Sequence, residues 1–153
     1  MPVAAAARSQ SGIEFLRSVV GRDCVQAAPV AQCLDFQLVE ADPGRVVFEL
    51  VPAAFHYNPI GTVHGGVICT LCDSAASAAV HSLLPAGTAY TTLEVKVNFV
   101  RAATVSTGLL RCEGTVLSRG ARVATAEARL TDTSGKLYAH AVTTCLIMPS
   151  EPR

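Results

Sequence analysis

The stretch that decides the fold is NPIGTVHGGVICTLCDSAASAAV, residues 58–80. It opens as a turn, with Pro59 and Gly61, and continues as a run of small and apolar residues. Gly65–His81 contains no proline, few β-branched residues and no alternation of polar and apolar positions. The run therefore predicts a helix that is apolar, and hence buried, on nearly all sides. One carboxylate, that of Asp73, lies in its middle.

The segments before this stretch predict a short helix and a hairpin. Residues 11–21, SGIEFLRSVVG, place apolar side chains three and four positions apart and end in glycine, which is typical of a short amphipathic helix. Two extended runs then flank Asp42-Pro43-Gly44, which predicts a hairpin. Residues 53–62 contain a proline and a glycine and are predicted to form a loop.

The segments after the helix predict four strands. Residues 90–100, YTTLEVKVNFV, alternate so that Leu93 falls on an apolar face and Thr92 on the opposite, polar face, which predicts a half-buried strand. Further strands are predicted at residues 107–118, 122–132 and 137–148. Residues 119–121 and 133–135 are expected to join them as tight turns.

This order of elements predicts an α+β fold in which one antiparallel sheet wraps around the long central helix, with a short N-terminal helix. The four C-terminal strands are expected to pair as a meander, and the early hairpin to join the same sheet. One sheet covers only one side of the helix, so a second copy of the chain is expected to cover the other. The 153 residues fit one domain, placed at residues 11–150 after a flexible tail at residues 1–10.

The charges of the chain argue against some classes of partner. Twelve basic residues balance 12 acidic ones, which gives no electrostatic reason to expect nucleic acid or an anionic membrane. No apolar run reaches the roughly 18 residues of a membrane span. The alanine run near the start lacks the basic flank of a signal peptide. We therefore expect a cytoplasmic protein whose cysteines stay reduced.

Cys69 and Cys72 form a C-x-x-C motif, which can serve a redox site or half of a zinc site. The sequence offers no second pair of ligands at comparable spacing, so no metal is expected. We interpret both cysteines as small apolar residues packed within the buried helix. The alternative, a redox dithiol, requires an exposed thiolate at a helix N-terminus.

Gly65 and Gly66 stand where the loop meets the helix. The first N–H groups of a helix have no internal partner and lie at the positive end of its dipole. Glycine lets a ligand approach that backbone closely. The pair therefore predicts a site that binds an anion or polarises a carbonyl oxygen, where His64 could hold the oxygen or orient the turn. A simple bend without function is the alternative.

Asp73 lies eight residues after Gly65, which is about 12 Å along a helix. A base and an oxyanion donor must both approach within about 3 Å of one reacting centre. One chain therefore cannot supply both groups, whereas a two-fold pair of chains can. Ser77 and Thr92 could hydrogen-bond Asp73. The alternative is a satisfied buried acid with a structural role, for example one paired with Lys96.

Three segments carry a resemblance to a known family: HYNPIGTVHGG at residues 56–66, LCDSAASAAV at 71–80 and YTTLEVKVNFVR at 90–101. They resemble the hotdog-fold thioesterases of the phenylacetic-acid-degradation branch, over residues 34–148. The resemblance implies a sheet wrapped around a central helix, and a homodimer that assembles to a homotetramer. It also implies hydrolysis of acyl-CoA thioesters, with coenzyme A as part of the substrate and no cofactor.

The resemblance also assigns roles by position. The Gly65 N–H would polarise the thioester carbonyl, His64 would support the adjacent loop and contact the thioester, and Asn58 would help to position the attacking water. Asp73 of the partner chain would be the base or the nucleophile, with the hydroxyl of Thr92 beside it. The residues expected to bind the substrate are Gly66, Ser77, Arg119, Gly120 and Arg122.

Two other functions on the same fold fit parts of this pattern. A non-catalytic acyl-CoA-binding protein would not need Asp73 together with Asn58 and His64. A hydratase needs a histidine and an acid acting together on the substrate α-carbon, whereas His64 lies at the oxyanion end. The loop residue His56, and His81, which is expected to be exposed near the helix end, rank below these candidates.

Overall fold

The computed structural model describes residues 9–21 and 28–148. The predicted tail at residues 1–10 therefore lies mostly outside the described residues, and Cys24 and residues 149–150 lie wholly outside them. The helices are α1 (Gly12–Val19), α2 (Pro29–Cys33) and α3 (Gly65–His81), and short 3-10 turns cover Ala54–His56 and Val105–Thr107. The strands are β1 (Phe36–Asp42), β2 (Arg45–Leu50), β3 (Ala89–Phe99), β4 (Leu110–Arg119), β5 (Val123–Asp132) and β6 (Leu137–Met148).

A capping box fixes the start of α1. The Ser11 hydroxyl accepts a hydrogen bond from the Glu14 N–H at 3.4 Å, and the Glu14 carboxylate accepts one from the Ser11 N–H at 3.0 Å. Leu16 buries the apolar side of the helix. The short helix predicted over residues 11–21 is thus confirmed, with its last residue at Val19. The single turn of α2 carries no periodic pattern and was not expected.

The six strands form one antiparallel sheet in the order β1-β2-β4-β5-β6-β3. The hairpin of β1 and β2 joins the sheet as predicted, and β4, β5 and β6 form a meander. The expectation of a meander through all four C-terminal strands is wrong, because β3 pairs with β6 at the far edge. The connection from Phe99 to Leu110 is too long for a tight hairpin turn. It passes the start of α3, where the Val63 N–H donates to the Ala103 carbonyl at 2.9 Å.

A β-bulge at Leu93 changes which side chains of β3 face the helix. Thr92 pairs with Cys145 and Glu94 with Thr144, so Leu93 has no partner on β6. One extra residue reverses the alternation of the strand. Thr92 therefore shares the inner face with the buried Cys145, and its predicted place on the polar face of the strand is wrong.

Small residues allow α3 to lie directly on the sheet, where it contacts all six strands. Ala75 and Ala76 are fully buried. They lie over Gly114 of β4, where a Cβ atom would come within 2.1 Å of the Ala75 carbonyl oxygen. The inner face of β5 and β6 is built largely from buried alanines: Ala124, Ala126, Ala128, Ala139 and Ala141. Backbone packed on backbone therefore fixes the position of the helix.

One side of α3 and of β3 stays uncovered in the single chain. The second half of α3 is buried, but Gly66 is exposed and Cys69 and Asp73 are half-buried. The prediction of a helix buried on nearly all sides therefore holds within one chain only for its second half. On the edge strand β3, Leu93 is 58% and Phe99 is 55% exposed. The strand predicted to be half-buried is thus largely open.

Gly114→Ala is expected to destabilise the protein although it adds only a methyl group. The new Cβ would overlap the Ala75 carbonyl, and relief requires α3 to shift. We expect a loss in the free energy of unfolding near the upper end of the about 1–3 kcal/mol typical of overpacking. Thermal and urea unfolding measure this loss.

The control is Gly120→Ala in the exposed turn after β4. Its Cβ would lie 3.2 Å from the Val123 carbonyl oxygen, so it should cost much less. Equal stability of Gly114→Ala and the wild type would contradict the backbone contact between α3 and β4.

Candidate active site

His64 caps the N-terminus of α3. The Nδ1 of its ring accepts a hydrogen bond from the Gly66 N–H at 2.9 Å. The backbone N–H of His64 donates to the His56 carbonyl at 2.8 Å. A Cβ on Gly66 would lie 2.9 Å from the same Nδ1. The Gly66 N–H, predicted to help bind substrate, is thus already used. The Gly65 N–H makes no hydrogen bond within residues 9–21 and 28–148, so it is the donor available to a ligand.

The loop before the helix is organised by Asn58. Its side-chain Oδ1 accepts hydrogen bonds from the N–H groups of Ile60 at 3.1 Å and Thr62 at 3.2 Å, and its Nδ2 donates to the Thr62 hydroxyl at 2.8 Å. An amide nitrogen carries two hydrogens, so Asn58 keeps one donor beyond the loop. His56 is buried and bonds Ala53 and Leu34 at 2.9 Å each. It therefore ties the loop to the chain before β1.

Asp73 receives a hydrogen bond from β3. The Thr92 hydroxyl donates to the Asp73 Oδ1 at 2.9 Å, which is possible because the bulge at Leu93 turns Thr92 inward. No ion pair joins Asp73 to Lys96, which lies on the outer face of the strand. The suggested pairing of Asp73 with Lys96 is therefore wrong, and the second carboxylate oxygen of Asp73 has no partner in the described part of the chain.

The inner surface beyond Asp73 is uncharged. Ser77 lies one turn further along α3 and is buried. Burial raises the pKa of Tyr90 to about 12, although a hydrogen bond with Ser77 opposes the shift. Burial likewise raises the pKa of the Cys145 thiol. The described neighbours of Asp73 on this surface are thus hydroxyl and thiol groups, those of Thr92, Tyr90 and Cys145.

Arg119, Gly120 and Arg122 lie in the exposed turn between β4 and β5. The Gly120 N–H donates to the Val123 carbonyl at 2.8 Å, and the Arg122 carbonyl accepts from the Ile147 N–H at 2.8 Å. The turn therefore sits at the end of the sheet where β3 begins. Neither guanidinium forms an ion pair with a described residue, so both remain available to an anion.

An open cleft of about 300 Å³ lies beside Gly65. Its lining residues are Thr62, Val63, Gly65, Ile68, Phe99, Val100, Arg101, Ala102 and Ala103. The sequence analysis missed this cleft, because its walls come from two stretches that are distant in sequence, residues 62–68 and 99–103. The only signal was Phe99, the last apolar residue of the alternating strand.

The single chain does not bring Gly65 and Asp73 together. Gly65 lies against the ring of Phe99 near the end of β3, and Asp73 is bonded to Thr92 near its start. Both belong to the one helix α3, and eight residues separate them by about 12 Å. The distance between Gly65 and Asp73 that the sequence predicted is therefore confirmed within one chain.

The two cysteines of the C-x-x-C motif differ in how deeply they are buried. Cys72 is fully buried, with its Sγ 4.0 Å from the Sγ of Cys112. Cys69 is only half-buried, so the expectation that both are packed inside is wrong for Cys69. Burial raises the pKa of Cys69, which disfavours a redox thiolate. Within residues 9–21 and 28–148, no group of three or more potential ligands could hold a metal ion.

A single antiparallel sheet wrapped around a long helix, with a short N-terminal helix, is the hotdog fold. A family model described as the thioesterase superfamily matches residues 60–139, just over half of the chain. The chain therefore belongs to the thioesterase superfamily, and it is a thioester hydrolase.

No helix in the described part of the chain is long and apolar enough to cross a membrane.

Particular relatives agree with this family. Acyl-coenzyme A thioesterase 13 of Mus musculus is 29% identical over 103 residues, 67% of this chain and 72% of that protein. A proposed esterase of Saccharolobus solfataricus is 29% identical over 117 residues, 76% of this chain and 81% of that protein. The crystal structure of a phenylacetic acid degradation-related protein from Ralstonia eutropha JMP134 is similar with a TM-score of 0.74 and 28% identity, covering 89% of this chain and 98% of that one. The family resemblance inferred from the sequence is confirmed.

His81 is buried at the end of α3, so the expectation that it is exposed is wrong. Its ring lies between those of Phe15 and Tyr90, with centroids 5.7 and 5.1 Å away. Burial lowers the pKa of His81 below its ordinary 6.5. Below about pH 6.5 the unfolded chain therefore binds a proton at His81 that the folded chain resists.

His81→Phe is expected to make stability less sensitive to acid. The free energy of unfolding of the wild type should fall as pH drops from 7.5 to 5, partly because His81 must stay neutral in the folded state. The variant keeps an aromatic ring but loses the contribution of His81 to the pH dependence of the free energy of unfolding. The carboxylates titrate equally in both proteins. Urea unfolding across this pH range measures both slopes, and identical slopes would contradict the buried neutral histidine.

Proposed function

We propose that the protein hydrolyses acyl-CoA thioesters to a free acid and coenzyme A, at sites that two subunits share. In each site the Gly65 N–H of one subunit binds the thioester carbonyl oxygen, and Asp73 of the other acts as general base or nucleophile. The mouse relative named as an acyl-coenzyme A thioesterase supports this substrate class. The observation that carries the shared site is the separation of an unpartnered Gly65 N–H from Asp73 along one rigid helix.

The edge strand supports a dimer that would close this distance. β3 is an 11-residue edge strand with apolar side chains exposed, and an unpaired edge of this kind invites another strand. Antiparallel pairing of two β3 edges about a two-fold axis near Val95 would set Phe99 of one chain beside Thr92 of the other. Gly65 packs on Phe99 and Asp73 on Thr92, so the same pairing draws the donor and the acid together.

The remaining predicted residues have roles that fit their positions. Thr92 holds Asp73 and leaves its second oxygen free to meet water or the carbonyl carbon. Asn58 has one donor left for the attacking water. His64 is exposed beside Gly65 and caps the helix through its Nδ1, which leaves its Nε2 for the thioester. Arg119 and Arg122 of the exposed turn suit the phosphates of the CoA arm.

Two further features of the proposal concern assembly and compartment. Val123 and Val142 are exposed on the outer face of the sheet, a surface on which two dimers could pack as a tetramer. Cys69, Cys72 and Cys112 are free thiols in the described chain. Cys72 and Cys112 stay unpaired although their sulfurs are 4.0 Å apart, which suits a reducing compartment such as the cytoplasm.

Asp73→Asn is expected to keep the fold and acyl-CoA binding but to lower kcat by at least about 100-fold. The amide is nearly isosteric and can still accept from Thr92, yet it neither takes a proton from water nor attacks a carbonyl. Release of free CoA thiol measures turnover, and calorimetry measures binding. Asp35→Asn, the same change in a turn outside the site, is the control. Full turnover by Asp73→Asn would overturn the mechanism, and binding without turnover by the wild type would favour the non-catalytic acyl-CoA-binding alternative.

Mixing two inactive variants is expected to restore activity. Gly65→Val should fail because its side chain blocks the approach to the N–H, and Asp73→Asn fails for lack of a base. Each mixed dimer contains one wholly wild-type site, so a statistical mixture should regain about a quarter of wild-type activity. Fluorescence energy transfer between labelled subunits establishes that exchange has occurred. Exchange without any recovery would show that Gly65 and Asp73 act within one chain.

A further inference from the structure

The hydrogen bond between Thr92 and Asp73 depends on the β-bulge at Leu93. Beyond the bulge, Val95 pairs with the fully buried Thr143 of β6 and therefore lies on the inner face of the sheet. In a strand that alternates without interruption, Leu93 would share this face and Thr92 would point outward. The extra residue shifts the alternation by one position, so the Thr92 hydroxyl faces Asp73 instead, at 2.9 Å. The contact between hydroxyl and acid is therefore lost if the strand becomes regular.

Thr143 holds the bulge from the inner face of the sheet. Its hydroxyl donates a hydrogen bond to the Glu94 carbonyl at 2.7 Å. Glu94 is the first residue after the bulge, and it pairs with the neighbour of Thr143, Thr144. β3 is an edge strand, and β6 is its only strand neighbour in the described sheet. The Thr143 hydroxyl therefore ties the irregular part of β3 to the rest of the sheet.

The surroundings of Thr143 make this bond costly to lose. The inner face of β5 and β6 is built largely from alanines, and Thr143 is 0% exposed. A hydroxyl that is buried without a hydrogen bond destabilises a protein. The Glu94 carbonyl is the acceptor that satisfies this hydroxyl, so the bulge and the buried threonine are matched to each other.

A second threonine binds the same residue from the outer face. The Thr144 hydroxyl donates to the Glu94 carboxylate at 2.9 Å. That bond holds an exposed side chain, where water competes, whereas Thr143 holds the backbone in the core, where a hydrogen bond is stronger. The bond from Thr143 is therefore the one expected to maintain the bulge.

We propose that Thr143 is a positioning residue for thioester hydrolysis: by holding the bulge at Leu93, it keeps the Thr92 hydroxyl on Asp73 and so fixes the direction of the free carboxylate oxygen. This inference rests on the proposed function, in which Asp73 acts on water or on the carbonyl carbon. Thr143 acts through Thr92 and does not touch the substrate. An acid that is turned away from the reacting centre leaves substrate binding intact and slows the chemical step.

Thr143→Val tests this role, because valine keeps the shape of the side chain and lacks the hydroxyl. We expect kcat to fall by at least about tenfold, since a misplaced catalytic group reacts slowly even when substrate is bound. KM should change by less than about threefold, because no binding contact is removed. Thr143→Ser keeps the hydroxyl and should restore kcat to within about threefold of the wild type. Released CoA thiol measures the rates with butanoyl-, octanoyl- and phenylacetyl-CoA.

The control is Thr125→Val, the same substitution on β5 between two buried alanines and hence on the outer face, which should leave kcat unchanged. Thr143→Val is also combined with Thr92→Val. Because Thr143 acts through Thr92, the double variant should match Thr92→Val alone to within about twofold. Losses that multiply, or full kcat in Thr143→Val, would overturn the positioning role. A loss that Thr143→Ser does not restore would assign the effect to packing.

A crystal structure of Thr143→Val separates this inference from the proposed function. We expect the bulge to be lost, or the Thr92 oxygen to lie more than about 3.5 Å from the Asp73 carboxylate, beyond hydrogen-bond distance. An intact bulge with the bond preserved would contradict the inference and leave the hydrolase mechanism standing. If the wild type hydrolyses none of the three thioesters, the proposed function is wrong, whereas the structure still decides whether Thr143 holds the bulge.

Thermal unfolding establishes that each variant is folded. If Thr143→Val does not fold, Thr143→Ala takes its place beside Thr143→Ser. Both variants lose the methyl group, and only the serine keeps the hydroxyl. The same fall in kcat for alanine, with recovery for serine, is then the expected result, and equal kcat values for the two would overturn the inference.

Discussion

Gly114 has no side chain, and the backbone of α3 fills the space where one would lie. The Ala75 carbonyl is so close to this strand that even a methyl group on Gly114 would overlap it. The rest of the structure depends on this contact, because a helix this near the sheet contacts every one of its six strands. Because α3 is fixed against the sheet, the groups that it carries at Gly65 and Asp73 are held in fixed positions.

A helix seated in this way is a rigid spacer. At its N-terminus, the Gly65 N–H lies beside the cleft and has no acceptor among the described residues. Two turns later, the helix holds an acid against Thr92. In the proposed mechanism, the distance between the two groups is the reason why a second chain is needed to complete each site. The open edge of β3 and the half-buried side of α3 lie next to each other, so one partner could cover both surfaces.

Much of this architecture could be read from the sequence, where a periodic pattern dictates local structure. The long run of small residues predicted α3 with its observed bounds, and alternation predicted the strands to within a few residues. The order Asn58, His64, Gly65, Asp73 indicated the proposed site through its resemblance to the thioesterase family. The strand order was missed, since the pairing of β3 with β6 depends on a long connection rather than on a local turn signal.

What the sequence by itself determined is the chemistry carried by one helix: a free N–H at its start, an acid about 12 Å along it, and small residues that fit a sheet. What only the tertiary structure decided depends on contacts between distant segments. The bulge at Leu93 turned Thr92 towards Asp73, Phe15 and Tyr90 buried His81, and Phe99 closed over Gly65. Local periodicity cannot foresee such contacts, because one inserted residue reverses the face of a strand and burial is set by whichever segment folds against it.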